Sequence, residues 1–307
     1  MTATSCRRCG HAALDADAFC EACGAPLVTA TAHQAAQAEG RAAAASDIGL
    51  RRERNEDAFA LASSTERTIL VVCDGVASTP SAGSAAALAA RTVLATLTAG
   101  HASQLRQPAE VAQLLREALN VAHRVVSDLA VSDPLVATAD RDETRDGAPS
   151  TTCVVAVALG TSVLVASLGD SRAYWIPQSG EERLLTTDDS EPEALLALQA
   201  AVPGRATPLT RHLTRWIGAD DSGAPPRVHL LEVDGPGVLL LCTDGLWQYF
   251  DRPGALAALV ASDSTAPSSA LDVAHRLVAA ALSAGGGDNV TAAVLPLDPG
   301  PTVAVGE

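Results

Sequence analysis

Two rhythms of apolar and polar positions run along most of this chain. Short runs rich in Val, Ile and Leu at residues 68–73, 151–159, 162–168, 172–176, 227–233, 238–243 and 289–297 predict β-strands. Helical spacing is found at 82–99, 108–130, 255–261 and 268–282, and a short helix is expected at 192–201. The clearest helix is 108–130. There Val111, Leu114, Leu115, Ala118, Leu119, Ala122, Val125, Val126 and Leu129 recur every third or fourth position and form one broad apolar face. Residues 151–176 read as a β-meander whose first two strands turn at Gly160-Thr161. Strands joined mainly by short turns, with helices inserted in pairs, favour antiparallel sheets covered by helices over a doubly wound parallel sheet. There is no Walker-type phosphate loop and no internal repeat.

The polar stretches divide the chain further. Residues 132–150, dominated by Asp, Thr, Arg and Pro, read as an exposed loop, and the polar segment 178–215 as a surface flap. Residues 28–45, rich in Ala, Thr and Gln, carry no strand or turn punctuation and read as a linker. A helix over 30–45 is the alternative, since alanine is the best helix former, but an alanine-only stripe would bury little. The expected organisation is a cysteine unit at 1–27, a linker at 28–45, a main domain at 46–298 and a tail at 299–307.

With 307 residues, 48% of them hydrophobic, the chain has material for one large domain and a small appendage. A formal net charge of -15 argues against nucleic acid or an anionic membrane as partner, because both are held by clustered basic residues. The acidic excess suits cations instead. All 21 basic residues are arginine, which reads as coding bias and carries little chemistry. No apolar run reaches the roughly 18 to 20 residues that span a bilayer, and the N-terminus lacks the apolar stretch of a signal peptide. A cytoplasmic location is therefore expected.

Three of the seven cysteines, Cys73, Cys153 and Cys242, sit in apolar strand-like runs and read as buried core thiols. The other four form two matched pairs, Cys6 with Cys9 and Cys20 with Cys23, each of Cys-x2-Cys spacing. An odd total in a reducing compartment argues against a disulfide framework. Paired knuckles with Gly10 and Gly24 behind them can set four thiolates around one tetrahedral Zn ion, predicting a small zinc ribbon. So small a unit would draw its folding free energy from the metal. A redox dithiol and an incidental cluster are the competing readings, and His11 is a bystander in the zinc reading.

The most informative pattern is acidic. An apolar strand runs into Asp74-Gly75, another into Asp244-Gly245, a third into Gly169-Asp170, and Gly287-Asp288-Asn289 leads into the last strand. A strand end is a rigid mount, and the neighbouring glycine lets a backbone carbonyl as well as a carboxylate face a cation. Any one Asp-Gly is most simply a turn. Four such ends can converge into an all-oxygen site of the kind that hard divalent ions require.

The surroundings of these residues resemble a family. Arg52-Glu53-Arg54-Asn55-Glu56-Asp57-Ala58, Val71-Val72-Cys73-Asp74-Gly75, Ser150-Thr151-Thr152, Gly169-Asp170-Ser171-Arg172-Ala173-Tyr174, Leu213-Thr214-Arg215-Trp216-Ile217-Gly218, Leu241-Cys242-Thr243-Asp244-Gly245-Leu246 and Gly287-Asp288-Asn289-Val290-Thr291 are similar, in order, to the motif series of type 2C metal-dependent protein phosphatases. The resemblance spans about residues 46–297. It implies an α+β fold, a four-layer α-β-β-α sandwich of two antiparallel sheets flanked by helices, with the zinc ribbon appended.

The resemblance further implies that Asp74 bridges two Mn or Mg ions, with Glu56 and the Gly75 carbonyl on one side and Asp244 and Asp288 on the other. Asp170 would ligate a weaker third ion, and Arg52 would hold the phosphate through its planar fork. Asp57 either supports these ligands or is purely structural. The implied reaction is hydrolysis of phosphoserine and phosphothreonine in proteins by a water activated between the two ions, with no phosphoenzyme. Phosphoprotein substrates, a Ser/Thr kinase or its targets among them, are the implied partners. Without the motif, Arg52 would read as one solvated arginine beside Arg51 and Arg54.

The chain departs from the family pattern twice. Val76-Ala77-Ser78 replaces the usual glycine pair after Asp-Gly, so that loop must be shaped differently. Some members place a histidine directly after Asp-Gly as a candidate acid; Val76 cannot donate a proton, so the leaving oxygen would take one from water at the ions. The second departure is Asp188-Asp189-Ser190, where many relatives have Asp-His-Ser, which bears on substrate engagement more than on metal binding. Two alternatives follow: a catalytically weak domain that binds phosphoproteins, and a scaffold built around the ribbon. Asn289-Val290-Thr291 also spells a glycosylation sequon, a poor reading in this context.

Overall fold

The computed structural model describes residues 3–5, 12–14, 32–38, 41–76, 79, 81–100, 105–132, 148–190, 213–219, 225–261 and 268–298. The four N-terminal cysteines, the helix expected at 192–201, most of the loop at 132–150 and the tail from 299 lie outside them.

The strands are β1 Ala3–Ser5, β2 Ala12–Leu14, β3 His33–Ala38, β4 Ala42–Asp47, β5 Asp57–Ser63, β6 Thr68–Asp74, β7 Ser150–Thr151, β8 Cys153–Leu159, β9 Ser162–Leu168, β10 Arg172–Pro177, β11 Arg183–Leu184, β12 Ile217–Gly218, β13 Arg227–Glu232, β14 Gly237–Cys242 and β15 Val290–Leu297. The helices are α1 Ala82–Thr98, α2 Pro108–Ser132, α3 Asp244–Trp247, α4 Ala255–Ala261 and α5 Ala270–Ala284. Two large sheets form, one of five strands in the order β13-β9-β8-β6-β5 and one of six in the order β11-β10-β14-β15-β4-β3. Every pairing in them is antiparallel.

Strand alternation builds the layers. On β6, Ile69, Val71 and Cys73 point toward α1 and α2, where they pack with Ala85, Ala89, Leu115 and Leu119. Leu70 and Val72 point the other way and meet Trp175, Leu239, Leu241 and Ala293 of the six-stranded sheet. That sheet's outer face, with Leu240, Cys242 and Val294, packs on α5 through Val273, Leu277 and Ala281. The result is the expected α-β-β-α order, with three apolar layers and both outer sheet faces covered by helices. The expected face of α2 is the buried one, with Val111, Leu115, Ala118, Leu119, Ala122 and Val126 fully covered and Val125 and Leu129 half-buried. All three core cysteines are fully buried. No helix among the described residues is long and apolar enough to cross a membrane.

One expectation is overturned. The stretch read as a linker, or alternatively as a helix, holds β3 and β4, which form the edge of the six-stranded sheet. Ala42 and Ala44 face the space between the sheets, while Ala43 and Ala45 lie under α5. Alanine has weak strand preference on its own, but here all four residues are buried and β4 is paired on both sides. Packing overrides propensity. Strand β5 was likewise not expected, its Ala-Phe-Ala-Leu-Ala run being too weakly β-forming to stand out.

Candidate active site

The acidic strand ends come to one rim. Asp57 pairs with Asp74 in the β5–β6 register, so the start of β5 lies beside the end of β6. The start of β8 lies beside the end of β6, and the end of β9 beside the start of β8, which brings Gly169-Asp170 to the same edge. In the facing sheet, Cys242 pairs with Ala292, so Asp244 after β14 and Asp288 before β15 are neighbours. Antiparallel pairing is thus what converts residues scattered from 52 to 288 into one site.

The quoted motifs are largely the fixings of this rim. The Asp74 amide donates to Thr152 Oγ1 at 3.1 Å, and its carbonyl accepts from Thr152 N and from Thr151 Oγ1, each at 2.8 Å. Thr152 Oγ1 and Ser171 Oγ lie 2.7 Å apart. Gly75 N donates to the Glu56 carbonyl at 3.1 Å, and a Cβ at Gly75 would fall 2.6 Å from the Ala82 backbone, so this turn excludes every other residue.

Asn289 ties the arginine loop to the acidic rim. Its Oδ1 accepts from Glu56 N at 2.8 Å, and its Nδ2 donates to the carbonyls of Ile48 at 2.9 Å and Arg54 at 2.8 Å. Its side chain is consumed and buried, which disposes of the glycosylation sequon. Gly49, at φ +80°, lets the same loop pass over Asp288: a Cβ there would lie 2.1 Å from the Asp288 carbonyl oxygen.

The electrostatics of the rim are lopsided. Burial, followed by the fields of Asp57, Asp244, Asp170 and Asp288, pushes the Asp74 carboxyl well above the ordinary aspartate range. Burial first raises Asp57, Asp170 and Asp244 to about 7, with neighbouring carboxylates adding to it and, at Asp57, the Thr291 and Thr243 hydroxyls opposing it. Glu56 is raised chiefly by burial. Arg52 faces them, its Nη2 donating to Asp288 Oδ2 at 2.6 Å, and it also feels Asp74 and Glu56, while Arg54 acts on Glu56 and Arg172 on Asp170. Asp57 has a structural role. Its Oδ2 accepts from Thr243 Oγ1 at 2.9 Å and Thr291 Oγ1 at 2.7 Å, bolting β5 to β14 and β15, while its buried Oδ1 has no hydrogen-bond partner.

A divalent ion fits this donor set. The side chains are all oxygen donors, they carry more negative charge than Arg52 can balance, and a buried orphan carboxylate oxygen is among them. Among the described residues no three Asp, Glu, His or Cys side chains converge as a ready-made cage around one ion.

Several participants were not singled out from sequence. Thr243 and Thr291 orient Asp57. Gln248, one turn after Asp244 on the α3 side, donates from Nε2 to Asp244 Oδ2 at 2.7 Å, an i,i+4 pair whose spacing is the signal that could have found it. Trp247 Nε1 donates to the Asp170 carbonyl at 2.9 Å, while its ring stacks under Arg172 at 3.5 Å. Arg172 in turn grips Asp188 through Nε and Nη2 and reaches Tyr174 Oη at 3.0 Å. The departure at Asp189 is likewise resolved. Its carboxylate is buried, accepting at Oδ1 from Arg215 Nη1 and Arg227 Nη1 and at Oδ2 from Gly169 N.

The family model for protein phosphatase 2C matches residues 50–279. Among solved structures, the chain is similar to a bacterial serine phosphatase, with a TM-score of 0.69 and 24% identity over 84% of this chain and 97% of that one. It is similar to the serine/threonine phosphatase Stp1 from Staphylococcus aureus, with a TM-score of 0.68 and 24% identity over 84% and 94%. Likeness to the Mycobacterium tuberculosis serine/threonine phosphatase PstP/Ppp has a TM-score of 0.62 and 24% identity over 84% and 98%. No curated protein sequence matches the chain. The structural likenesses establish the fold, and the family match takes in well over half the sequence together with most of the acidic rim. The chain therefore belongs to the protein phosphatase 2C family and is a metal-dependent serine/threonine protein phosphatase.

Proposed function

We propose that Asp74 lies between two divalent ions, Mn or Mg, with Glu56 and the Gly75 carbonyl serving one and Asp244 and Asp288 the other, and that Asp170 serves a weaker third. The observation that carries this reading is the uncompensated charge at the rim, where burial and mutual repulsion raise Asp74, Asp57, Asp170 and Asp244 together. Two bound ions would supply an activated water for in-line attack on phosphorus and offset charge on the phosphoryl oxygens. Arg52, already at the mouth and more exposed than the carboxylates, binds the phosphate with its fork, exchanging its contact to Asp288 for the substrate. The hydroxyls of Thr151 and Thr152 keep Asp74 rigid, and Asn289 keeps Arg52 and Glu56 over Asp288.

The substrates on this reading are phosphoserine and phosphothreonine proteins, a Ser/Thr kinase or its targets among them. The N-terminal cysteines form a zinc ribbon that docks a partner. The spacing of Cys6, Cys9, Cys20 and Cys23 supports this, as do the paired strands β1 and β2, which bracket the first cysteine pair in sequence.

The test is hydrolysis of a phosphothreonine peptide by the full chain with Mn, with Mg and with chelator, beside Asp244→Asn. Turnover that needs the ion and is lost in the variant is the expected result. Ion-independent turnover, or full activity in the variant, would overturn the ligand assignment.

A further inference from the structure

We infer that Asp189 is a positioning residue that fixes the Gly169-Asp170 turn and so aims Asp170 at the site. The inference rests on the proposed role of Asp170 as a metal ligand. Asp189 grips Gly169 twice: its backbone N–H donates to the Gly169 carbonyl at 2.9 Å, and its Oδ2 accepts from Gly169 N at 3.2 Å. Gly169 has φ +100° and sits against Thr152, where a Cβ would be 2.6 Å from the threonine side chain. The next carbonyl, that of Asp170, is held by Trp247 Nε1 at 2.9 Å. The backbone on both sides of the Asp170 side chain is thereby pinned, once by Asp189 and once by α3.

The charge of Asp189 is what makes the grip affordable. Its side chain is 1% exposed, and a carboxylate so buried is tolerable only if paired. Arg215, from the segment before β12, donates to Oδ1 at 3.3 Å, and Arg227, at the start of β13, donates to the same oxygen. The two arginines and the acid form one unit. A histidine at this position, as in many relatives, would face two guanidinium groups without a counter-charge. In this chain Asp189→His is therefore expected to do worse than Asp189→Asn, although it restores the residue of the relatives.

The experiment measures Mn binding to chelator-stripped full chain by calorimetry and by Mn electron paramagnetic resonance, together with kcat and KM on a phosphothreonine peptide. The proteins are wild type, Asp189→Ala, Asp170→Asn and the double variant. Asp189→Ala is expected to weaken the weakest class of Mn about tenfold, as loss of a partner behind a metal ligand does. The double variant is expected to bind no worse than Asp170→Asn, because the two residues act in series. Wild-type Mn binding in Asp189→Ala, or a defect that adds in full to that of Asp170→Asn, overturns the inference. If Asp170→Asn itself leaves every class of Mn unchanged, the role of Asp170 fails instead, and the two failures are distinct. Should Asp189→Ala not fold, Asp189→Asn and Arg227→Ala carry the same test, and unchanged Mn binding in both overturns the assignment.

Discussion

Two acidic clusters lie within a few residues of each other in this fold and are handled in opposite ways. Asp188 and Asp189 are covered by cations that the chain supplies itself: Arg172 for the first, Arg215 and Arg227 for the second. Asp57 and Asp170 are buried and Asp74 and Asp244 half-buried, yet the four face one another, with Arg52 committed to Asp288. The first cluster is finished by folding. The second remains electrostatically unfavourable until something positive arrives from outside, which is the physical signature of a site rather than a scaffold. It also shows that the fold can build internal counter-ions, yet at the rim it supplies only partial ones, Arg52 beside Asp288 and the field of Arg172 at Asp170.

The largest effect that sharpens this contrast is expected from Asp74→Asn. Phosphopeptide turnover should fall to the chelator background, because the carboxylate shared by both proposed ions is gone. In the same variant the chelator-stripped protein should melt higher than stripped wild type, since a repelled buried charge has been removed. A stripped variant that melts lower would mean that Asp74 is compensated in a way the comparison denies.

Next in size is the response of the metal-free protein to pH. Asp57, Asp170 and Asp244 have folded values of about 7 against an ordinary value of 3.8. Between those limits the folded state binds more protons than the unfolded state, so stability falls as pH rises across that window. Thermal melts in chelator should therefore decline from about pH 4 to about pH 7. Saturating Mn should flatten or reverse the slope. A melting temperature that rises with pH in chelator would break the reading of the rim as uncompensated.

On the compensated side, Asp188→Ala strands Arg172 between Trp247 and Tyr174. Both partners are mostly buried, at 15% and 16% side-chain exposure, so the loss should be about 2 to 3 kcal/mol by urea unfolding. Unlike the Asp74 variant, it should destabilise stripped and Mn-loaded protein alike.

How far these features were legible in the sequence depends on how local their causes are. Asp74, Asp170, Asp244 and Asp288 could be read because each abuts its own strand and a glycine, a signal contained within a few residues. Arg52 and Glu56 lie on a loop with no periodicity and were legible only through the motif series. The role of Asp189 was not readable, because its partners Arg215 and Arg227 stand 26 and 38 residues away and only the fold brings them to it. The residue read from sequence as bearing on substrate engagement is, on the inference above, a support for the Gly169-Asp170 turn.

The same lesson, in apolar form, underlies the missed strand β4. Ala42 to Ala45 give no alternation by size, yet Ala42 and Ala44 fill the space between the sheets against Leu239, Leu241 and Ala293, and Ala43 and Ala45 let α5 approach the other face. If small size is what this strand supplies, then Ala44→Val, which improves β-propensity, should still destabilise the protein, by about 1 to 2 kcal/mol through overpacking. Val at exposed Gln37 of neighbouring β3, where no core must yield, should be neutral or stabilising. Urea unfolding of the two variants decides the point. A stabilised Ala44→Val would show that alanine is there by composition alone, and equal losses at both positions would mean that the edge of the sheet, not its packing, sets the constraint.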